Sequence, residues 1–309
     1  MLGDMATASQ QTLKTAIGCR GIGLHSGERV AMTLQPAPPD TGIVFRRSGS
    51  AVEIRANWAS MIESPLCTVI SNGEGNTVGT IEHLMAAFAG AAIDNAIIEL
   101  DGREVPIMDG SSAPFLFLIE CAGIVEQDAP RRAIKILRQV SVAEDGAAAM
   151  LLPDHGFSMS FEIDFDNPMI RRQDICLMFD SETFKTELCR ARTFGLVDEL
   201  DRLWAAGLAR GGSLENAVVV GRDHVLNAGG LRFADEFVRH KLLDAFGDLY
   251  LAGGPMLGSF CGVRSGHAHT RRLLAALFAD REAWCYTTLG RGSYRGGGEL
   301  ERELQLAGD

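Results

Sequence analysis

Three histidine-bearing segments carry side chains able to do chemistry. In His240-Lys241-Leu242-Leu243-Asp244-Ala245-Phe246-Gly247-Asp248, His240 and Asp244 are four residues apart, which on a helix sets both on one face, one turn from each other. A neutral imidazole and a carboxylate so placed can ligate zinc. The same spacing also describes a solvated polar stripe, with Leu242, Leu243, Phe246, Leu249 and Tyr250 turned to the opposite side. In Thr80-Ile81-Glu82-His83-Leu84, His83 could be a third ligand and Glu82 could activate water, the division of labour of HExxH zinc hydrolases. The second histidine of that motif is absent here. The plainer reading is a first-turn glutamate beside a satisfied histidine. In Arg264-Ser265-Gly266-His267-Ala268-His269, a histidine at a helix start can act as a general acid or stabilise developing negative charge. His267 and His269 could equally be ligands or surface residues. Arg190-Ala191-Arg192-Thr193-Phe194-Gly195 is a polar loop that could hold a phosphate or an oxyanion, or simply connect. His155 and His224 sit in turn-like contexts and read as structural.

The elements that must position these residues follow from periodicity and punctuation. Strands are predicted over 12–18 and 29–35, with the turn Gly21-Ile22-Gly23-Leu24-His25-Ser26-Gly27 between them. Thr80 is the predicted N-cap of a helix in which Ile81, Leu84, Met85 and Phe88 repeat at helical spacing, closed by Gly90 and the Asp94-Asn95 turn. A buried strand follows over 96–100, and a second helix over 113–123 with Pro114 in its first turn. The polar, proline-containing stretch Val125-Glu126-Gln127-Asp128-Ala129-Pro130-Arg131-Arg132 marks a domain boundary, giving domains 1–127 and 128–309. Beyond it, strands are predicted over 133–142, 147–152, 157–165, 174–179, 217–220 and 256–263, and helices over 181–188, 197–206, 234–252 and 266–278. Strands first and helices later, twice over, predict α+β layers rather than a βαβ parallel sheet. The Gly-rich, charged tail beyond Gly290 is expected to be mobile.

Composition narrows the function classes. The 309 residues hold 29 Lys and Arg against 40 Asp and Glu, a formal net charge of −11. That field disfavours nucleic acid and anionic membranes as partners, though a local basic patch could still hold a small anion. Apolar residues at 46% and charged residues at 22% describe an ordinary globular chain. No apolar run nears the roughly 18 residues of a membrane span, and Met1–Gln10 lacks the basic and apolar regions of a signal peptide. Seven scattered cysteines without a CxxC pair suit a reducing compartment, so the chain is expected in the cytoplasm.

Read in order, the segments Gly21–Gly27, Thr80–Leu84, Pro106-Ile107-Met108-Asp109-Gly110-Ser111, Ala191–Gly195, Phe237-Val238-Arg239-His240-Lys241-Leu242-Leu243-Asp244 and Ser265–His267 resemble one family. It is the UDP-3-O-acyl-N-acetylglucosamine deacetylases of bacterial lipid A synthesis. The resemblance runs from about Thr12 to Phe278. It implies two layered α+β domains of similar topology with the active site at their interface, and a zinc amidase that releases acetate. It implies His83, His240 and Asp244 as zinc ligands, with water completing a tetrahedral site. Iron also suits such a ligand set. Glu82 would be the general base and His267 the protonated partner, oriented and kept charged by Asp248, with Thr193 donating to the oxyanion. On the substrate side, the resemblance sets Lys241 near the diphosphate, Asp164 and Phe165 at the uridine end, and Phe194 among the substrate contacts. An insert near 196–222, including Gly212, Ser213 and Leu214, would enclose the acyl chain.

The chain departs from the family pattern in places. Arg264 stands where a lysine is common, Leu214 replaces a more usual aromatic, and Glu144-Asp145-Gly146-Ala147-Ala148-Ala149 lacks a basic residue found in some relatives. Cys67 matches a cysteine near the metal and could bind a second, inhibitory zinc or be a small buried thiol. The role of His25 stays open. The implied partner is a UDP-linked acylated amino sugar, with no nucleic acid, no stable membrane insertion and a monomeric chain. Two alternatives stand beside this: a same-fold zinc amidase for another acylated nucleotide sugar, or a non-catalytic binding relative. The second would be expected to lack Glu82, His267 or a ligand, and all are present.

Overall fold

The computed structural model describes residues 7–290 apart from Ser181, so the tail beyond Gly290 and the expected helix start at Ser181 lie outside the described residues. The first half runs β1 (Ser9–Leu13), β2 (Ile17–Ile22), β3 (Arg29–Pro36), β4 (Ile43–Arg47), β5 (Glu53–Arg55), β6 (Met61–Ile62), β7 (Val69–Ser71), β8 (Thr77–Val78), α1 (Glu82–Gly90), β9 (Ala96–Leu100) and α2 (Ala113–Ala122). β10 (Ile124–Pro130) then leads to β11 (Arg132–Ile136), β12 (Val140–Glu144), β13 (Ala147–Leu152), β14 (Phe157–Phe165), β15 (Arg171–Met178), β16 (Phe194–Leu196), α3 (Val197–Ala205) and β17 (Val218–Val220). The chain closes with α4 (Glu236–Tyr250), β18 (Met256–Val263), α5 (His267–Ala279) and β19 (Trp284–Thr288).

One mixed sheet has the order β2-β3-β9-β4-β5, and a larger one β12-β13-β18-β11-β19, with β14 pairing β18 and β15. The α+β class holds, but the sheets are not purely antiparallel: β4–β9, β11–β18, β14–β18 and β16–β17 pair in parallel. β3 shows why an amphipathic strand forms there. Val30, Met32 and Leu34 alternate inward and are buried, while their neighbours face out.

Four expectations need correction. The strand expected over 12–18 is broken by a bend at 14–15 into the end of β1 and the start of β2, while the polar stretch at the expected domain boundary forms β10, antiparallel to β1, with Pro130 at its end where a missing N–H costs no ladder bond. The single strand expected over 133–142 breaks into β11 and β12, because the chain leaves β18 and β19 to pair with β13 instead. The helix expected over 181–188 reduces to one wide turn, Phe184–Leu188, since Asp180 Oδ1 accepts from the backbone of Glu182 and Thr183 and shapes a tight entry. Thr80 is not an N-cap: Ile81 takes that position without a side-chain bond, and the Thr80 hydroxyl donates to Glu104 Oε1 at 2.8 Å.

α4 lies at the centre. Every residue of it except Arg239 and Lys241 is buried, so its polar side chains cannot be a solvated stripe. α1 crosses it at Gly247, where a Cβ would stand 2.0 Å from the Glu82 carbonyl oxygen and 2.9 Å from the Ala86 nitrogen. Only glycine lets the two backbones approach so closely. No helix among the described residues is long and apolar enough to cross a membrane.

Candidate active site

The close crossing of α1 and α4 brings together residues far apart in sequence. From the start of α1 come Glu82 and His83; from successive turns of α4 come His240, Asp244 and Asp248; all five are buried. His83 Nε2 and His240 Nε2 each lie 3.4 Å from Asp244 Oδ1, and the three donor atoms fall within 4.8 Å of one another. His240 Nδ1 is 3.1 Å from the Ala191 carbonyl, which only accepts, so Nδ1 carries the hydrogen and Nε2 turns its lone pair toward Asp244. Burial presses the His240 pKa down to about 4 despite the Asp244 charge, so the ring is neutral at pH 7. Burial opposes ionisation of Asp244 as well, but His240 and Lys241 outweigh it and hold the carboxyl well below its ordinary range.

Asp244 Oδ1 has no hydrogen-bond partner although it is buried. A buried carboxylate oxygen without a hydrogen-bond partner between two imidazole nitrogens is a costly arrangement by itself, and it is one a divalent cation satisfies. Two imidazoles and a carboxylate fit zinc.

A second group sits beside the first. His267, at the start of α5, directs Nδ1 at Asp248 Oδ2, 2.8 Å away. Burial disfavours the imidazolium, yet Asp248 and then Glu82 carry the His267 pKa up to about 9. Its Nε2 is 4.0 Å from Glu82 Oε1 and 3.9 Å from Asp244 Oδ2. Burial raises the Glu82 pKa, and its Oε2 accepts from the Thr68 backbone N–H at 3.0 Å. Lys241 Nζ holds Asp244 Oδ2 at 2.7 Å.

These groups open on a cavity of about 210 Å³, whose lining also includes Thr193, Phe194, Leu196, Phe165, Leu24 and His25. Thr193 is fixed through its backbone, which donates to the Gly110 carbonyl and accepts from Val218, both at 2.8 Å. Phe194 meets Phe165 edge-on at 5.6 Å and Phe237 at 5.0 Å, giving one wall an aromatic face. Of the remaining expected substrate residues, Asp164 is exposed on β14 opposite Arg172, and Arg264 is exposed with its guanidinium on the Gly146 carbonyl. Gly212, Ser213 and the 47%-exposed Leu214 stand outside this lining. Cys67 is buried near Glu82, and its thiol is pushed up to about 12 by burial first and the Glu82 charge second. His155 and His224 are exposed. A larger cavity, about 320 Å³, is bordered by Gln10, Asp40, Arg132 and Tyr286. Gln10 is already bonded to Asp40, and none of the groups described above borders it.

Two residues of this neighbourhood give no local signal in the sequence. Thr68 touches Glu82, Asp248 and His267. Glu104 Oε1 takes the His25 N–H and the Thr80 hydroxyl, while Oε2 takes the Ser26 N–H and hydroxyl, so one buried carboxylate fastens the Gly-rich turn to the entry of α1.

Comparison with known proteins supplies the family. The chain is 51% identical over 279 residues to the UDP-3-O-acyl-N-acetylglucosamine deacetylase of Pseudomonas entomophila (strain L48), covering 89% of this chain and 92% of that protein. It is 50% identical over the same length, with the same coverage, to the deacetylase of that name from Chromohalobacter salexigens. The family model described as UDP-3-O-acyl N-acetylglycosamine deacetylase matches residues 10–279, and the chain, with its buried His-His-Asp cluster inside that span, belongs to this family.

Proposed function

We propose that this chain hydrolyses the acetamide of a UDP-3-O-acyl-N-acetylglucosamine to the free amine and acetate, with zinc held by His83, His240 and Asp244. One observation carries the reading: the unpartnered Asp244 Oδ1 lies between two imidazole nitrogens, within reach of a paired carboxylate and imidazolium. Zinc at that cluster would supply Lewis acidity, polarising the amide carbonyl and acidifying water.

The chain's own residues do the proton work. Glu82, made more basic by burial, takes a proton from the attacking water as the oxygen–carbon bond forms. His267, charged at neutral pH, donates from Nε2 to the amide nitrogen as the carbon–nitrogen bond breaks, since a bare amide anion is a poor leaving group. Asp248 holds the far side of that ring and fixes which nitrogen faces the site. The Thr193 side chain, on the cavity wall, donates to the developing oxyanion.

Substrate binding follows the resemblance: Lys241 and Arg264 toward the diphosphate, Asp164 and Phe165 toward the uridine, Phe194 among the substrate contacts, and the Gly212–Leu214 loop toward the acyl chain. Against a net charge of −11, the anion must be drawn by local cations, and Lys241 and protonated His267 border the cavity. We assign the chain two domains divided at 127/128, a monomeric state and the cytoplasm. The test is metal content with turnover: about one zinc per chain and amine release from the acylated UDP-N-acetylglucosamine, abolished by a chelator and restored by zinc. Full activity in chelated, metal-free protein would refute the zinc assignment; no turnover by zinc-loaded protein would refute the substrate.

A further inference from the structure

We propose that Thr68 is a positioning residue that sets the proton-taking and proton-giving groups of the site with a single side chain and its own backbone. This rests on the deacetylase reading above. Thr68 precedes β7 and is 2% exposed, in a segment where it reads as nothing more than the start of a strand. Its backbone N–H donates to Glu82 Oε2 at 3.0 Å. Its hydroxyl donates to Asp248 Oδ1, and the same oxygen lies 3.0 Å from His267 Nδ1.

The hydrogen count explains what this does. A threonine hydroxyl has one hydrogen and two lone pairs. The hydrogen goes to Asp248 Oδ1, because a carboxylate only accepts, and a lone pair is left facing His267 Nδ1–H. That N–H is shared between Asp248 Oδ2, 2.8 Å away, and the Thr68 oxygen. Asp248 is therefore held through both oxygens, one by the ring and one by the hydroxyl, so its carboxylate plane cannot rotate without breaking a bond. The imidazole is fixed in turn, and Nε2 faces the cavity. At the same time the backbone bond occupies Glu82 Oε2 and leaves Oε1 as the oxygen nearer His267 Nε2, at 4.0 Å. Thr68 and its partners Asp248 and His267 come from opposite ends of the chain, 180 and 199 residues apart. A change at Thr68 should thus alter the geometry of proton transfer without touching a metal ligand or the substrate.

The experiment compares Thr68→Val, Thr68→Ala and Thr68→Ser in the zinc-loaded full chain. Valine keeps the shape and the backbone N–H but removes the hydroxyl; alanine asks nothing of the packing; serine keeps the hydroxyl. Losing a hydrogen bond to a charged partner predicts a fall in kcat of roughly 10- to 100-fold for valine and alanine, with KM and zinc content unchanged and somewhat earlier thermal unfolding, and near wild-type kcat and stability for serine. The Nδ1–H proton resonance of His267 should exchange with water more slowly in wild type and Thr68→Ser than in Thr68→Val, where Asp248 alone holds it. Wild-type kcat in Thr68→Ala, or a serine variant as slow as the alanine one, overturns the assignment, and the alanine result decides even if the valine variant does not fold. A wild-type enzyme that fails to release amine would instead overturn the deacetylase reading, and the proton resonance would still report on Thr68.

Discussion

Gly247→Ala separates two views of what glycine does in α4. Intrinsic propensity favours alanine inside a helix by about 0.8–1 kcal/mol, so on that ground alone the variant should be more stable. The packing says otherwise. A Cβ at Gly247 would stand 2.0 Å from the Glu82 carbonyl oxygen and 2.9 Å from the Ala86 nitrogen. Both are backbone atoms of α1, with no rotamer through which to escape. Ordinary contact begins near 3.4 Å, so α1 and α4 must separate by about 1.4 Å at that point. Overpacking of this kind costs about 1–3 kcal/mol, and a backbone-to-backbone clash belongs at the upper end, so the net effect is destabilisation by about 2 kcal/mol.

The displacement matters more for the site than for the fold. α1 carries His83 and α4 carries His240 and Asp244, with His83 Nε2 now 3.4 Å from Asp244 Oδ1. Zinc–nitrogen bonds are about 2.0–2.1 Å and tolerate deviations of only about 0.2 Å. A shift of more than half a bond length between the helices should therefore weaken zinc binding by orders of magnitude before it unfolds the chain. Gly247→Ala should purify with sub-stoichiometric zinc, measured by elemental analysis after dialysis, unfold earlier in denaturant, and turn over slowly even when zinc is added back. A variant as stable as wild type with full zinc content would show that the helices are not held at this distance by the glycine.

Two substitutions test the division of labour. Glu82→Ala should keep its zinc and lose roughly 10²- to 10⁴-fold in turnover, whereas Asp244→Ala should lose the metal; normal hydrolysis by Glu82→Ala would remove Glu82 as the base. Glu236 is a test of stability rather than catalysis. It is fully buried, and although burial opposes its ionisation, bonds from Arg192 and from the Arg232 backbone hold its pKa below the ordinary range. A carboxylate with a lowered folded-state pKa contributes stability that is present above its unfolded pKa, about 4.3, and is lost as the pH falls through the folded value. Glu236→Gln should cost about 3 kcal/mol at neutral pH, and denaturant curves of variant and wild type should converge as the medium becomes strongly acidic. A gap independent of pH would mean that the charge is not the source.

What the sequence revealed and what it concealed divide along a physical line. Periodicity made α4 legible and put His240 and Asp244 one turn apart on one face, because the 3.6-residue repeat is a local property. It could not say whether that face meets water; only the near-complete burial of α4 decides that. Convergence with His83 depends on α1 crossing at Gly247, and a glycine inside a predicted helix carries no mark of what approaches it. Thr68 and Glu104 were invisible for the same reason, since their bonds reach partners distant in the chain. The wrong expectation at Thr80 is the instructive one. Local chemistry makes it a good cap, but its hydroxyl goes to Glu104 and its backbone sits at φ 55°, a conformation a β-branched residue resists. That strain falls two residues before Glu82, where the Gly-rich turn, the entry of α1 and the His-His-Asp cluster meet. A local rule is broken there because the position of Glu82 and His83 is set by tertiary bonds to Glu104 rather than by the helix's own preference for where to start.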